Sequence, residues 1–271
     1  MRLAVLQRDI IFWRKMFDNL SSYEKALTWI RESMIEVANT YAIPHFDPKF
    51  FDTENLVCVD VGANVGAFVL KAIAAQRFKR ICAFEPFVGN IEIMNSILID
   101  NQLQDKVEIF QNAIYKENKN DVPLHAYHFK CSGDIYLDEE PNSDKDTGLT
   151  CQALTLSRAM ELLEVERIHY LKMDVEGAEH EIFKNFNEFD KIDVLAIEIH
   201  HDNSELIQLL SEHFIFVDIY GLCNENPEDR VLTDIAVEKH ITNMEFLTHP
   251  EINIFLCFNK NSKGITFNHV T

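Results

Sequence analysis

The sequence predicts an α/β protein with a mostly parallel β-sheet that is flanked by helices. Two observations predict it. Short apolar runs, several of them rich in β-branched residues, alternate with longer segments of helical periodicity, which is the pattern of βαβ units. Several of these runs carry almost no charge along their length and finish in an acidic residue. We find no internal repeat and no linker, so one main domain is expected.

The first βα unit predicts a ligand-binding turn. Residues 56–61 form an apolar run that suits a strand covered on both faces, and a helical pattern begins at Phe68. Between them lie two glycines four residues apart, Gly62 and Gly66. We expect Gly62 to allow the turn and Gly66 to let the helix pack closely. The N-terminus of that helix offers free N–H groups to a ligand, although such glycines also serve purely structural turns.

Further strands are expected along the rest of the chain. They are residues 80–85, 106–112, 167–174, 192–199, 214–220 and 253–258, most of them separated by helical segments. The polar segment 116–150 interrupts this rhythm, and we expect a hairpin-like insertion with short strands near 126–129 and 148–153.

The N-terminal part predicts a helical arm over residues 1–50 that packs on the main domain of residues 51–271. Apolar residues keep helical spacing from Tyr23 to Tyr41, and Pro44 ends the pattern. Packing is the expected role of this arm, with substrate enclosure or dimerisation as the alternative.

Composition and charge limit the partners. The chain has 25 basic and 44 acidic residues and a net charge of −19, which disfavours nucleic acid and anionic membranes. No apolar stretch is long enough for a membrane span, and charges interrupt every apolar run near the N-terminus. Six cysteines form no C-x-x-C pair, and Cys58, Cys82 and Cys257 lie in strand-like runs, so buried free thiols and a cytoplasmic location are expected.

Four acids mark the expected ligand-binding edge. They are Asp60, Glu85, Asp174 and Glu198, each at the end of a predicted strand. Ligands of open parallel sheets bind at the carboxyl ends of the strands. Glu85 also lies 19 residues past Gly66, close to the spacing at which an acid meets a ribose. A dinucleotide is less expected, since Asn64 replaces the middle glycine of G-x-G-x-x-G and Asp60 would repel a pyrophosphate.

Three segments resemble the FkbM-type methyltransferases, which belong to the class I S-adenosylmethionine-dependent enzymes. They are Asp60-Val61-Gly62-Ala63-Asn64-Val65-Gly66, Phe84-Glu85-Pro86 and Lys172-Met173-Asp174-Val175-Glu176-Gly177-Ala178-Glu179. The resemblance runs from about residue 56 to 200. It implies the Rossmann-like class I methyltransferase fold, whose sheet has seven strands.

The same resemblance implies cofactor contacts. Asp60, Gly62, Asn64 and Gly66 would surround the methionine part of S-adenosylmethionine, which becomes S-adenosylhomocysteine. Glu85 would accept hydrogen bonds from both ribose hydroxyls. The adenine would lie against Asn112 and Ala113, at the end of the third strand.

The proposed catalytic residues follow the fourth and fifth strands. His200 is the first choice for a general base because its ordinary pKa suits neutral pH, and Glu198 would orient it or contact the substrate. Asp174 is the third candidate, with helix capping as its structural alternative; Glu176 and His201 are further candidates for the base. Asp174, Glu198 and His200 could also bind Mg²⁺ or Mn²⁺, but no spacing demands this, and no metal site is predicted.

The resemblance therefore implies an O-methyltransferase that methylates a hydroxyl of a sugar, a glycan or a secondary metabolite. A non-catalytic S-adenosylmethionine-binding module and an NAD-dependent oxidoreductase are the alternatives. The expected partner is a small-molecule or glycan acceptor, and the sequence is compatible with a homo-oligomer.

Overall fold

A computed structural model describes most of the main domain. The described residues are 41–126, 135–137, 146–200, 204–218 and 253–266. The predicted arm as far as residue 40, part of the insertion and His201 lie outside them.

Seven strands form the main sheet, which confirms the prediction. They are β2 (Val57–Val61), β3 (Arg80–Phe84), β4 (Glu108–Phe110), β9 (Ile168–Met173), β10 (Ile192–Ile199), β11 (Phe214–Asp218) and β12 (Asn253–Asn259). Their order is β11-β12-β10-β9-β2-β3-β4, and β12 runs antiparallel to both its neighbours while β10, β9, β2, β3 and β4 pair in parallel.

Helices cover both faces of this sheet. The described helices are α1 (Ala67–Ala75), α2 (Val88–Asp100), α3 (Leu156–Leu162), α4 (Glu179–Phe183) and α5 (Ser204–His213). Successive residues of β9 enter different apolar clusters, because side chains alternate along a strand: Leu171 packs in one core and Tyr170 in the other. The two cores explain why the strand sequences are apolar throughout.

The region after β4 is more regular than predicted. Four strands form a second sheet in the order β5-β8-β6-β7. They are β5 (Asn112–Ile114), β6 (Lys119–Ala126), β7 (Ile135–Leu137) and β8 (Asp146–Leu154). The prediction that Asn112 ends the third strand is wrong, because the chain leaves the main sheet at Phe110 and Asn112 pairs with Gln152 of β8.

Residues 41–50 contain no helix, so the predicted helical pattern does not extend through Tyr41 to Pro44. Proline disfavours the helical conformation of the residue before it, here Ile43. Instead β1 (His45–Phe46) pairs antiparallel with β13 (Ile265–Thr266). Tyr41 and Phe46 are buried in the core of the main domain.

None of the helices within the described residues combines the length and the apolar character that a membrane span requires.

Candidate active site

Strand register brings the predicted acids to one edge and one face of the sheet. Asp60 of β2 pairs with Lys172 of β9, and Lys172 pairs with Ala196 of β10. Because residues two apart on a strand share a face, Asp174 lies beside Lys172 and Glu198 beside Ala196 on that face. The expectation that Asp60, Asp174 and Glu198 gather at the carboxyl edge is therefore met.

The glycine turn after β2 packs against the end of β9. Gly62 has φ +74°, and a Cβ atom there would lie 1.8 Å from the carbonyl oxygen of Asp174. The N–H of Asp174 in turn donates to the carbonyl oxygen of Val61 at 3.1 Å. The left-handed backbone and the close approach both require glycine at position 62. This contact places the turn directly beside Asp174, one of the catalytic candidates.

Glu85 is held beside the same turn by backbone donors. Its Oε2 accepts from the N–H of Asn64 at 2.8 Å, and its Oε1 accepts from the N–H of Phe87 at 2.9 Å and from Nδ2 of Asn90 at 3.2 Å. Burial raises the pKa of Glu85 to about 7, although the hydrogen bonds from Phe87 and Asn64 lower it. Asn64 has φ +50°, which asparagine tolerates better than most residues. The hydrogen bond from its N–H joins the two predicted residues Asn64 and Glu85.

These residues fit the cofactor that the resemblance implies. Helix α1 begins after Gly66 with no side-chain cap, so its first N–H groups suit a carboxylate such as that of methionine. A Cβ on Gly66 would lie 2.7 Å from Cγ of Met94, which explains the second glycine by the packing of α1 on α2. Glu85 at the neighbouring strand end is an acceptor suited to ribose hydroxyls.

Lys172 is the centre of the charge network, and sequence analysis missed it. Its Nζ lies 3.5 Å from Oδ1 of Asp60, 3.4 Å from Oδ2 of Asp174 and 3.0 Å from the carbonyl oxygen of Gly62. Burial lowers the pKa of Lys172, but Asp174, Asp60 and Glu198 outweigh it and raise that pKa above its ordinary value. The sequence signal that pointed to it is a lysine near the end of a buried strand, where a charged side chain needs partners.

The two members of the buried Lys172–Asp60 pair differ in their electrostatic surroundings. Burial raises the pKa of Asp60 to about 6 even though Lys172 opposes this shift. Three carboxyl groups, those of Asp174, Asp60 and Glu198, raise the pKa of Lys172. The pKa of Asp60, in contrast, is lowered by the charge of Lys172. Lys172 therefore compensates the burial of the Asp60 carboxylate only in part.

His200 is enclosed by carboxylates. Its Nδ1 lies 2.8 Å from Oε1 of the fully buried Glu179, and its Nε2 lies 3.6 Å from Glu176 and 3.8 Å from Glu198. Burial lowers the pKa of His200, but the hydrogen bond to Glu179 and the carboxylates of Glu179, Glu176 and Asp174 raise it to about 9. These carboxylates therefore favour the imidazolium form of His200, which must lose a proton before it can act as a base.

Glu198 lies between this imidazolium and the ammonium of Lys172. Burial and the neighbouring Asp174 raise the pKa of Glu198 to about 7, while His200, Lys172 and a hydrogen bond from Tyr41 lower it. The hydroxyl of Tyr41 donates to Oε2 of Glu198 at 3.1 Å. A carboxyl group that titrates near neutral pH is suited to general acid–base chemistry.

The same cluster offers ligand atoms to a metal. One atom each of Asp174, Glu198 and His200 lies within 4.8 Å of the others. However, Lys172 already lies 3.4 Å from Asp174, and the proton on His200 would have to leave before a metal could bind. The charges of these side chains favour an ion-pair network over a metal centre.

The predicted adenine contacts lie apart from this cluster. Nδ2 of Asn112 donates to Oε1 of Gln152 at 2.9 Å, and Ala113 is buried in β5. The link to the site runs through Phe110, whose carbonyl oxygen accepts from the N–H of Glu85 at 3.1 Å. Asn112 thus begins the second sheet two residues beyond the strand end that neighbours Glu85.

Tyr41 and Glu179 also join the site without having been predicted. Tyr41 belongs to the arm whose expected role was packing, with substrate enclosure or dimerisation as the alternative, and no site residue was predicted in it. Glu179 is part of the segment Lys172–Glu179 that carries the resemblance. Its position in the sequence, 21 residues before His200, does not show that the two side chains form a hydrogen bond.

Comparisons with known proteins identify a family for this chain. The family model described as methyltransferase FkbM domain matches residues 60–247. No curated protein matches the chain.

Among solved structures, the chain is similar to a methyltransferase FkbM from Methylobacillus flagellatus KT, with 14% identity and a TM-score of 0.46, over 82% of this chain and 47% of that one. It is also similar to M. capricolum TrmK in complex with S-adenosyl-homocysteine, with 11% identity and a TM-score of 0.41, over 88% and 71% of the two chains. A third is an rRNA methylase from Streptococcus thermophilus, with 12% identity and a TM-score of 0.39, over 85% and 95%. The chain spans about half the length of the first of these proteins.

Proposed function

The chain belongs to the FkbM methyltransferase domain family, and we propose that it is an S-adenosylmethionine-dependent O-methyltransferase whose acceptor is a hydroxyl of a sugar, a glycan or a secondary metabolite. One observation carries this proposal. The glycine turn that suits the cofactor and the cluster that suits proton transfer meet at one sheet edge, where Gly62 contacts the backbone of Asp174.

The turn and Glu85 would hold the cofactor. Asp60, Gly62, Asn64 and Gly66 would surround its methionine part, and Glu85 would accept from the ribose. When bound, the cofactor supplies a methyl group on a positively charged sulfur. The buried Asp60, whose charge Lys172 compensates only in part, supports a cationic ligand at this edge. Contact of Asn112 and Ala113 with the adenine remains part of the proposal.

Glu198 is the proposed base, in preference to His200. The carboxylate of Glu198 would take the proton of the acceptor hydroxyl, and the methyl group that this oxygen receives would come from the cofactor. With its pKa raised to about 7, Glu198 is about half ionised at neutral pH, whereas His200 carries its proton up to about pH 9. His200 would then stabilise ionised Glu198, and Asp174, with a side chain 24% exposed, would face the ligands.

The charge of the chain supports a non-nucleic acceptor. A net charge of −19 repels a phosphate backbone, whereas a neutral hydroxyl compound meets no such barrier. The four cysteines among the described residues, Cys58, Cys82, Cys151 and Cys257, are buried free thiols, which supports our proposal of a cytoplasmic location.

Two measurements test the proposal. Thermal unfolding with S-adenosylhomocysteine, with NAD and without ligand should show stabilisation by S-adenosylhomocysteine alone. Glu85→Gln should weaken that stabilisation, and Glu108→Gln, an acid of β4 that pairs with Arg80 near the surface, is its matched control. Stabilisation by NAD alone would favour the oxidoreductase.

The acceptor is then sought with labelled methyl donor and a panel of nucleotide sugars, glycans, metabolite alcohols, tRNA and rRNA fragments. Label on a hydroxyl compound supports the proposal, and label on RNA alone contradicts it. Binding of S-adenosylhomocysteine with no transfer to any of them would favour a non-catalytic module. Turnover should be unchanged by EDTA and by later addition of Mg²⁺; loss and recovery would instead support the metal alternative.

A further inference from the structure

We infer that Tyr41 is a positioning residue of the active site, which holds the carboxylate of Glu198 and covers the ammonium of Lys172. The inference rests on the proposed function and deepens it, since it assigns part of the site to the segment that precedes the main sheet.

The contacts of Tyr41 join it to both charged groups. Its hydroxyl lies 3.1 Å from Oε2 of Glu198, a residue 157 positions away in the sequence. Nζ of Lys172 lies 5.4 Å from the centroid of the Tyr41 ring. The same ammonium group forms ion pairs with Asp60 and Asp174. Tyr41 is 2% exposed, so both contacts are made in a largely water-free environment, where they are stronger than at the surface.

Neighbouring residues keep Tyr41 in this position. The hydroxyl of Tyr170 donates to the carbonyl oxygen of Ala42 at 3.0 Å, and Nη1 of Arg77 donates to the carbonyl oxygens of Ile43 and Pro44. The ring of Phe68 meets the ring of Tyr41 edge to face with the centroids 5.8 Å apart. These contacts come from α1, the loop after α1, and β9, so the segment is anchored to the main domain on several sides.

The hydrogen bond from Tyr41 gives the two carboxylate oxygens of Glu198 different surroundings. Tyr41 occupies Oε2, while Oε1 faces Nε2 of His200 at 3.8 Å. The carboxylate of Glu198 cannot rotate without breaking its hydrogen bond from the Tyr41 hydroxyl, so Oε1 stays on the side of His200. Burial, Asp174 and Glu198 raise the pKa of the Tyr41 hydroxyl well above its ordinary value, so the hydroxyl keeps its proton and remains a donor.

The groups that face Glu198 set the sign of the expected effect. Asp174 disfavours the ionised carboxylate, while His200, Lys172 and the Tyr41 hydroxyl favour it. Removal of the hydroxyl should therefore raise the pH at which Glu198 titrates. A hydrogen bond to a charged group is stronger than one between neutral groups, so the midpoint should rise by roughly one pH unit.

The experiment titrates the protein without any acceptor. Glutamate labelled with ¹³C at its side-chain carboxyl is incorporated, the Glu198 signal is assigned by its loss in Glu198→Gln, and its midpoint is compared between wild type and Tyr41→Phe. Tyr170→Phe is the matched control, because it removes a buried tyrosine hydroxyl bound to the same segment, at Ala42, without touching a carboxylate. We expect the midpoint to rise in Tyr41→Phe and to stay unchanged in Tyr170→Phe.

A second variant reverses the effect while it keeps the shape of the side chain. Difluorotyrosine at position 41 is a stronger donor and should lower the midpoint of Glu198, and this holds even if Tyr41→Phe does not fold. An unchanged midpoint in every folded Tyr41 variant, or equal shifts in Tyr41→Phe and Tyr170→Phe, would overturn the inference.

Kinetics separate this inference from the proposed function. With an acceptor identified, Tyr41→Phe should lower kcat/KM about fivefold at pH 7 and less than about twofold at pH 8.5, since Glu198 is mostly ionised there in both proteins. Absence of methyl transfer by wild type would contradict the proposed function alone. A wild type that is active beside a Tyr41→Phe variant with an unchanged pH profile would contradict the role of Tyr41 alone.

Discussion

The two halves of the proposed active site are built in different ways. The half that we propose for the cofactor, from Asp60 to Gly66 with Glu85, depends on backbone: left-handed residues, N–H donors and a close approach that only glycine permits. The acid–base half depends on the side chains of Tyr41, Lys172, Asp174, Glu198 and His200, supported by Glu179. Backbone geometry restricts the residue types at neighbouring positions, whereas a charge network can be assembled from distant ones.

This difference predicts how each half fails. A wrong residue in the cofactor half should disturb the fold, because the strained turn is part of the packing between β2 and β9. A wrong residue in the acid–base half should alter charge and chemistry first. The following variants test that contrast from the largest expected effect to the smallest.

Gly62→Ala should cause the largest loss. Its Cβ would lie 1.8 Å from the carbonyl oxygen of Asp174, which forces the end of β9 to move, and we expect a loss of about 4 kcal/mol or more in the free energy of unfolding. Gly148→Ala is the matched control: its φ of +70° is similar, but among the described residues no atom other than those of its chain neighbours lies within 4 Å of the added carbon. It should cost about 1–2 kcal/mol. Equal losses in urea unfolding would contradict the packing role of Gly62.

Glu198→Gln should abolish most of the activity with little effect on the fold. Loss of a general base costs about 10²–10⁴-fold in kcat, while affinity for S-adenosylhomocysteine should remain. His200→Gln should cost less, and the kcat/KM of wild type should rise with pH through about 7 and fall above about 9. A rate that instead climbs through pH 9, together with a larger loss in His200→Gln, would make His200 the base.

Lys172→Met should destabilise the protein in a pH-dependent way. It leaves the buried Asp60 without its ion-pair partner, and we expect a loss of about 2–3 kcal/mol at pH 8. The loss should shrink at pH 5, because Asp60, with a pKa already raised to about 6, then takes up a proton. Lys191→Met, at a surface ion pair with Glu188, is the control and should leave stability nearly unchanged at both pH values. A loss that does not depend on pH would argue against this pairing.

The smallest effect is the slope of stability with pH. The folded-state pKa of Glu198 is raised to about 7, so the native protein binds more protons than the unfolded chain between about pH 4.5 and 7. Stability from this group is present in acid and is lost as pH rises through that window. Wild type should therefore lose about 1–2 kcal/mol more than Glu198→Gln between pH 5 and 8, measured by urea unfolding. Parallel slopes would show that Glu198 is not perturbed.

The sequence alone predicted the sheet and the cofactor half of the site. Apolar runs that ended in acids located β2, β3, β9 and β10, and the glycine spacing located the turn before α1. Such features are readable because strand burial and left-handed turns impose residue types over a few adjacent positions. For the same reason, the resemblance to the FkbM family rests on short local segments. The family match over residues 60–247 confirms that resemblance.

Only the tertiary structure decided which side chains meet in the other half. It placed Tyr41 against Glu198, made Lys172 the centre of the network, and moved Asn112 into a second sheet. It also led us to propose Glu198 rather than His200 as the base, because the pKa of an imidazole depends on every charge around it, and Glu179, Glu176 and Asp174 come from a different strand–helix connection. A charge acts through space, so its partners follow from strand register and packing rather than from the local pattern of residues.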